Sequence, residues 1–284
     1  MLVFKLLFIV FTLSGQALEM GIGAGRSVYY GDLNSGYYFD KFIRNGDFTL
    51  DIFGRSVFNQ HYGIRANFSY CKVKGNDANS QLEWQKMRNL SFFSDIFEFS
   101  IRGEYYFFDY NPGQMRKPVV PFVSAGLGVF HFNSKTTFEG NIIELRKLGT
   151  EGQGLVGYPD FYNNVAVSIP FGLGIIFKFN EQISVGAEII WRYTTTDYLD
   201  DVSGNYVNQE VFRQNSRQLT ALLADPTWEY LGQPFERATG SQRGGKDKND
   251  FFTGYTINVS YAISDGRKIS KSRLLKDYHK TNKY

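Results

Sequence analysis

The chain has 284 residues, with 31 basic against 28 acidic and a formal net charge of +3; aromatic residues make up 17% of it and charged ones only 21%. That length is ample for one large domain, and so small a net charge supplies no global basic field for nucleic acid. The single cysteine, Cys71, excludes an intrachain disulfide framework and reads as an inert, partly buried side chain on a strand.

Residues 1–17 read as a secretory signal peptide. Lys5 supplies a weak positive charge, and the apolar run at 6–13 is too short to cross a bilayer as a helix. Gly15-Gln16-Ala17 is a small-x-small cleavage site, so cleavage is expected after Ala17. Gln16 stands where a lipoprotein signal would need cysteine, so no lipid anchor is expected. No later stretch reaches the roughly 18 consecutive apolar residues of a transmembrane helix.

From there the period is two. The first expected strand, 19–30, sets Gly21, Gly23, Gly25 and Ser27 against Met20, Ile22, Ala24 and Val28. No helical pattern follows these glycines, so they read as a close-packed barrel interior rather than a nucleotide loop. The second strand, 47–58, is the least regular. The third, 62–74, carries Tyr62, Ile64, Ala66, Phe68 and Tyr70 outward and Arg65, Asn67 and Ser69 inward. In the fourth, 90–110, Phe93, Phe97, Phe99, Ile101, Tyr105 and Phe107 alternate with Glu98, Ser100, Arg102 and Glu104. A fifth strand is expected at 119–133, followed by a long loop over 134–163. The sixth spans 164–179 and the seventh 183–196, with a very long polar loop over 197–249. In the eighth, Phe251, Thr253, Tyr255, Ile257, Val259, Tyr261 and Ile263 oppose a set that is mostly small or polar.

Eight strands of this length, with long connections after the odd ones and short turns after the even ones, predict an eight-stranded antiparallel up-and-down transmembrane β-barrel spanning 18–264. A water-soluble barrel would put the oily faces inside, and that many aromatics would overfill an eight-stranded interior. Both ends of the barrel chain are then expected on the periplasmic side of a bacterial outer membrane.

The predicted interior carries Arg65, Glu98, Arg102, Glu104, Lys178, Glu188 and Arg192. Isolated buried charges are costly, so these groups are expected to pair in a structural ion network that plugs the lumen. A solute pore is the functional alternative. The three histidines offer little for catalysis: His61 falls in a turn and His279 in the tail, and His131 lies near loops holding Glu139, Glu151 and Asp160. No His/Cys cluster has metal-ligand spacing. Gly149-Thr-Glu-Gly-Gln-Gly154 lacks the ending of a phosphate loop and reads as loop-shaping. No enzymatic activity, cofactor or small-molecule substrate is expected.

The stretch 265–284 forms a basic periplasmic tail, with seven basic residues against two acidic ones, a net +5. Arg267, Lys268, Lys271, Arg273, Leu274, Lys276 and Tyr278 are the candidates there for contact with an acidic partner; a solvated tail is the plainer reading.

Several motifs combine into a resemblance. They are Ser27-Val-Tyr-Tyr-Gly-Asp-Leu-Asn34, Arg88-Asn-Leu-Ser-Phe92, Pro121-Phe-Val-Ser-Ala-Gly-Leu-Gly-Val-Phe-His-Phe-Asn133, Leu148-Gly-Thr-Glu-Gly-Gln-Gly154, Ile169-Pro-Phe-Gly-Leu-Gly174 and Thr194-Thr-Thr-Asp-Tyr-Leu-Asp-Asp-Val-Ser-Gly204. Together they cover almost all of the mature chain, and it resembles the PorG family of Bacteroidota, outer-membrane barrel components of the type IX secretion system. The resemblance implies a structural role beside a periplasmic ring of the PorK lipoprotein and PorN, with gliding motility linked to the system in some relatives. It brings no catalytic residues. A small porin or solute-binding barrel is the alternative from the transport class, and a loop-borne hydrolase or acyltransferase the one from the enzyme class.

Overall fold

The computed structural model describes residues 17–33, 42, 46–115 and 117–265. Eight long strands close into one antiparallel barrel. They are β1 (Ala17–Tyr30), β2 (Asp47–Phe58), β3 (Tyr62–Asn76), β4 (Ser91–Tyr106), β5 (Val119–Phe138), β7 (Val165–Lys178), β8 (Ile183–Thr194) and β9 (Phe251–Asp265). Around the barrel the order is β4-β3-β2-β1-β9-β8-β7-β5, and β4 pairs with β5 to complete the circle. A short β6 (Asn141–Glu144) extends β5 as a hairpin beyond the rim.

The alternation of side chains places the faces as a membrane barrel requires. On β4, Glu98 is 0% exposed, while its neighbour Phe97 is 46% exposed. The same holds along β7, where Ile169, Phe171 and Leu173 face out and Ser168 faces in. Apolar side chains therefore cover the outside, and polar ones fill the inside.

Three features differ from the expected elements. β4 ends at Tyr106 rather than at 110: the next residues peel away, and Tyr110 is buried inside the barrel. Its amide donates to the Gln60 carbonyl. β5 runs on to Phe138, because Ser134 and Thr136 keep the inward phase while Lys135 and Thr137 keep the outward one. The hairpin to β6 turns at Glu139 and Gly140, both with positive φ, so the first part of the expected loop, through Glu144, is sheet. Finally, the connections at this end are folded rather than extended. They carry α1 (Glu83–Arg88), α2 (Leu145–Leu148), α3 (Gln209–Gln214), α4 (Gln218–Ala224) and α5 (Thr227–Leu231). Ala17, the residue before the expected cleavage point, is the first residue of β1 and pairs with Val57 and Asp265.

Candidate functional site

The lumen is layered. At the turn end Tyr106, Tyr110, Phe122, Val120 and Ile176 form a buried apolar plug with Ala17 and Val57. At the loop end Tyr29, Phe92, Phe130, Phe132 and Phe252 form a second, joined by Leu33, Leu199 and Val202 from the connections. The charges lie between the plugs.

Arg55 Nε donates to Glu104 Oε2 at 2.6 Å, and its Nη1 to Glu19 Oε2 at 2.9 Å. Arg65 Nη1 meets Glu188 Oε2 at 2.9 Å and lies 3.7 Å from Glu104 Oε1. Arg102 Nη1 meets the other oxygen of Glu188 at 2.5 Å and also donates to Ser124 Oγ. Nearer the loop end, Arg192 Nε meets Glu98 Oε2 at 2.6 Å, and Ser168 Oγ donates to the second oxygen of Glu98. Asp51 takes bonds from Asn67 and Ser69. Every charged side chain in these pairs is within about 3% of fully buried, so each ion pair sits in a low dielectric where both partners depend on the other. The Arg65 guanidinium also stacks 3.6 Å above the Phe53 ring. Interior glycines make the room: a Cβ on Gly172 would lie 2.8 Å from Glu188 Oε1, and one on Gly128 3.0 Å from Glu98 Oε1.

Six of the seven interior residues named from the sequence thus come together: Arg65, Glu98, Arg102, Glu104, Glu188 and Arg192. Lys178 does not join them. It is buried at the turn end, where its ammonium donates to the carbonyls of Asn111 and Gln114 and lies 5.2 Å from the Tyr110 ring. Glu19, Arg55 and Asp51 were missed, although Glu19 keeps the phase of Gly21 and Arg55 that of Asp51. Cys71 is fully rather than partly buried, beside Thr49 Oγ1. His131 faces outward, with its Nε2 on the Asn164 amide rather than on a carboxylate. His61 lies 3.3 Å from Asp109 at an exposed turn. The tail residues Arg267, Lys268, Lys271, Arg273, Leu274, Lys276 and Tyr278 lie outside the described residues.

A cap locks the four long connections over the loop end. Arg88 grips Asp77 with two nitrogens, at 2.6 and 2.9 Å, and donates to the Asp32 and Arg243 carbonyls. Arg243 in turn donates to Glu151 at 2.9 Å and to the Asp201 carbonyl at 2.7 Å. Glu151 accepts the backbone N–H groups of Ser203 and Gly204. Beneath lies a carboxylate cluster. The Tyr29 hydroxyl donates to Asp200 and to Asp250, and Asp201 accepts from Thr150 and Tyr162. Burial, and then the charge of Asp32 on Asp200 and of Asp200 on Asp250, pushes both well above the usual carboxylate range. Burial raises Asp201 to about 6 against the pull of Arg243, and raises Asp197 to about 7 with help from nearby Asp32. The acids of the 196–202 segment are therefore inside the cap, where Asp200 Oδ1 also accepts the Val202 N–H.

An eight-stranded antiparallel barrel with an apolar exterior and a plugged polar interior has the fold of the small outer-membrane β-barrels. The chain belongs to the family described as a domain of unknown function, DUF6089, whose sequence profile matches residues 1–216. Similar solved structures include Neisserial surface protein A, with 10% identity over 87% of this chain and 97% of that one and a TM-score of 0.41. Another is Ail, the attachment invasion locus protein of Yersinia pestis, with 10% identity over 88% and 100% and a TM-score of 0.40. The outer membrane enzyme PagL is a third, with 13% identity over 85% and 97% and a TM-score of 0.33. No curated protein matches the sequence.

Proposed function

We propose that this chain is a non-enzymatic outer-membrane component of the type IX secretion machinery, seated in the membrane with its capped loops outside and both chain ends in the periplasm, beside a ring of PorK and PorN. The sealed lumen is the observation that carries the structural half of this reading. Two apolar plugs and a paired ion network leave a solute no polar path, so the working surfaces are the cap, the turns and the tail. The PorG-like motifs, above all the Thr194 to Gly204 block, support the secretion half. A small porin or solute-binding barrel is the second reading, and the plugged interior disfavours it. Deleting the gene should stop export of proteins bearing a C-terminal sorting domain. Normal export without this chain would refute the secretion role. A stable open channel from purified protein in a planar bilayer would favour the porin.

A further inference from the structure

Among the described side chains of the barrel strands, outward-facing charge lies at one end. Near the turns the outward residues are apolar or aromatic, among them Tyr62, Tyr105, Val119, Phe177, Tyr261 and Ile263. Near the loops, Arg26 on β1, Lys72 and Lys74 on β3 and Lys135 on β5 take outward positions. Asp47 and Asp95 are the strand acids beside them, and Glu144 on β6 stands opposite Lys135 but pairs with Lys147, so with Lys147 counted the cations are in excess by two. Lys74 meets Asp47 at 3.2 Å, and Asp95 takes both Lys135 at 2.9 Å and the Tyr70 hydroxyl at 2.8 Å. Lys72 lies opposite Asp95 in the register, with its ammonium 5.2 Å from the Phe93 ring. Arg26 donates to the Gly46 carbonyl and covers the Phe42 ring.

The register makes this one patch. Lys74, Phe93 and Lys135 stand side by side on β3, β4 and β5, so the two lysines are two interstrand spacings apart, about 10 Å. Its height on the barrel is set as well. Ten residues separate Tyr62 from Lys72, and at about 3.3 Å each, with the usual strand tilt, they rise about 25 Å, the height of a barrel's apolar band. The lysines are therefore level with lipid headgroups, and their stems reach up from the hydrocarbon. Beside Arg26 the exterior is concave: a groove of about 620 Å³ is lined by Ala24, Phe42, Leu173, Ala187 and Ile257.

We propose that this loop-end band binds the phosphorylated headgroup of an outer-leaflet glycolipid. Lys72, Lys74, Lys135 and Arg26 contact phosphate, and the groove beside Arg26 holds an acyl chain. Charge complementarity selects this ligand. Ammonium and guanidinium groups at headgroup depth match phosphate oxygens, and the surrounding Tyr70 and Phe93 rings suit an interface. The assignment rests on the orientation given under Proposed function.

The test uses purified, folded full-length protein in detergent, challenged with bis-phosphorylated lipid A, the same lipid A without phosphates, or phosphatidylglycerol. Native mass spectrometry reads the retained lipid. Bis-phosphorylated lipid A should be retained at least tenfold over either comparator. A double variant, Lys72→Gln with Lys135→Gln, should lower that retention fivefold or more, and Lys72→Arg with Lys135→Arg should restore it. Lys86→Gln, at a loop lysine paired with Glu83, should leave it unchanged. Equal retention of either comparator, or no loss in the glutamine variant, overturns the proposal. Heat-modifiable gel mobility confirms that each variant is folded. The binding assay does not depend on secretion, and protease access to residues 204–249 on intact cells reads orientation separately.

Discussion

Replacing Glu188 with alanine should destabilise the barrel by about 3–5 kcal/mol. One carboxylate serves two buried guanidiniums, Arg65 at 2.9 Å and Arg102 at 2.5 Å. With it gone, Arg102 keeps Ser124, and Arg65 keeps the Asn67 side-chain oxygen at 3.1 Å but, of the carboxylates, only the longer 3.7 Å approach to Glu104. The loss is therefore that of an uncompensated buried charge rather than of a surface ion pair, for which about 0–1 kcal/mol would be expected. Urea unfolding of the protein in lipid vesicles, followed by tryptophan fluorescence and gel mobility, gives the free energy. With a slope of about 2 kcal/mol per molar, the midpoint should fall by about 1.5–2.5 M. Glu188→Gln retains a carbonyl acceptor for one arginine and should lie between the wild type and Glu188→Ala. A fall of less than about 0.5 M for the alanine variant would show that water or rearranged glutamates compensate the arginines, and would refute the sealed-lumen argument.

The cap should loosen as pH rises. A carboxyl whose folded pKa is raised stabilises the fold in its neutral form; that contribution is complete below about pH 4 and lost as pH climbs through the folded value. With Asp201 at about 6 and Asp197 at about 7, proteolysis within 204–249 should be faster at pH 8 than at pH 5, and Asp197→Asn should flatten the difference; equal rates would contradict it. Arg243→Ala should raise cleavage there at neutral pH while β9 stays protected in hydrogen exchange, because its loss leaves Glu151 without its cation and the two connections joined there by the Ser203 and Gly204 N–H bonds. Protease on intact cells should cut, if anywhere, in this same connection; cutting at 59–61 instead would invert the topology. Truncation after Ser264 should leave a folded barrel but reduce co-purification with ring proteins, and undiminished recovery at physiological salt would leave the tail a solvated end.

The strands were legible because a lipid-facing surface enforces a strict period of two. Tyr62 to Tyr70 and Phe251 to Ile263 need no tertiary information. Arg55 was hidden because Phe53, inward and two residues earlier, breaks the oily-out rule that identified other faces. The apolar plugs escaped for the same reason: Phe122, Phe130 and Phe252 point inward where the barrel is closed by hydrophobic layers. Lys178 has the right phase for the ion network but lies at the turn end, where backbone carbonyls are nearer than carboxylates. The cap was least readable, since Arg243 and Glu151 are 92 residues apart and no local pattern links them.

The pairing of β1 with β9 makes barrel formation a late, nonlocal event. Ala17 lies opposite Asp265 in the register, and that seam joins segments from opposite ends of the chain. Until β9 arrives, β1 and β8 each present an unpaired edge, the feature that invites aggregation. Contacts of such sequence separation carry a large loop-closure entropy and slow the search, so the rate-limiting step of folding should be the zipping of this seam. Substitutions on β1 and β9 should then change the folding rate, whereas those in the cap should mainly change the rate of unfolding.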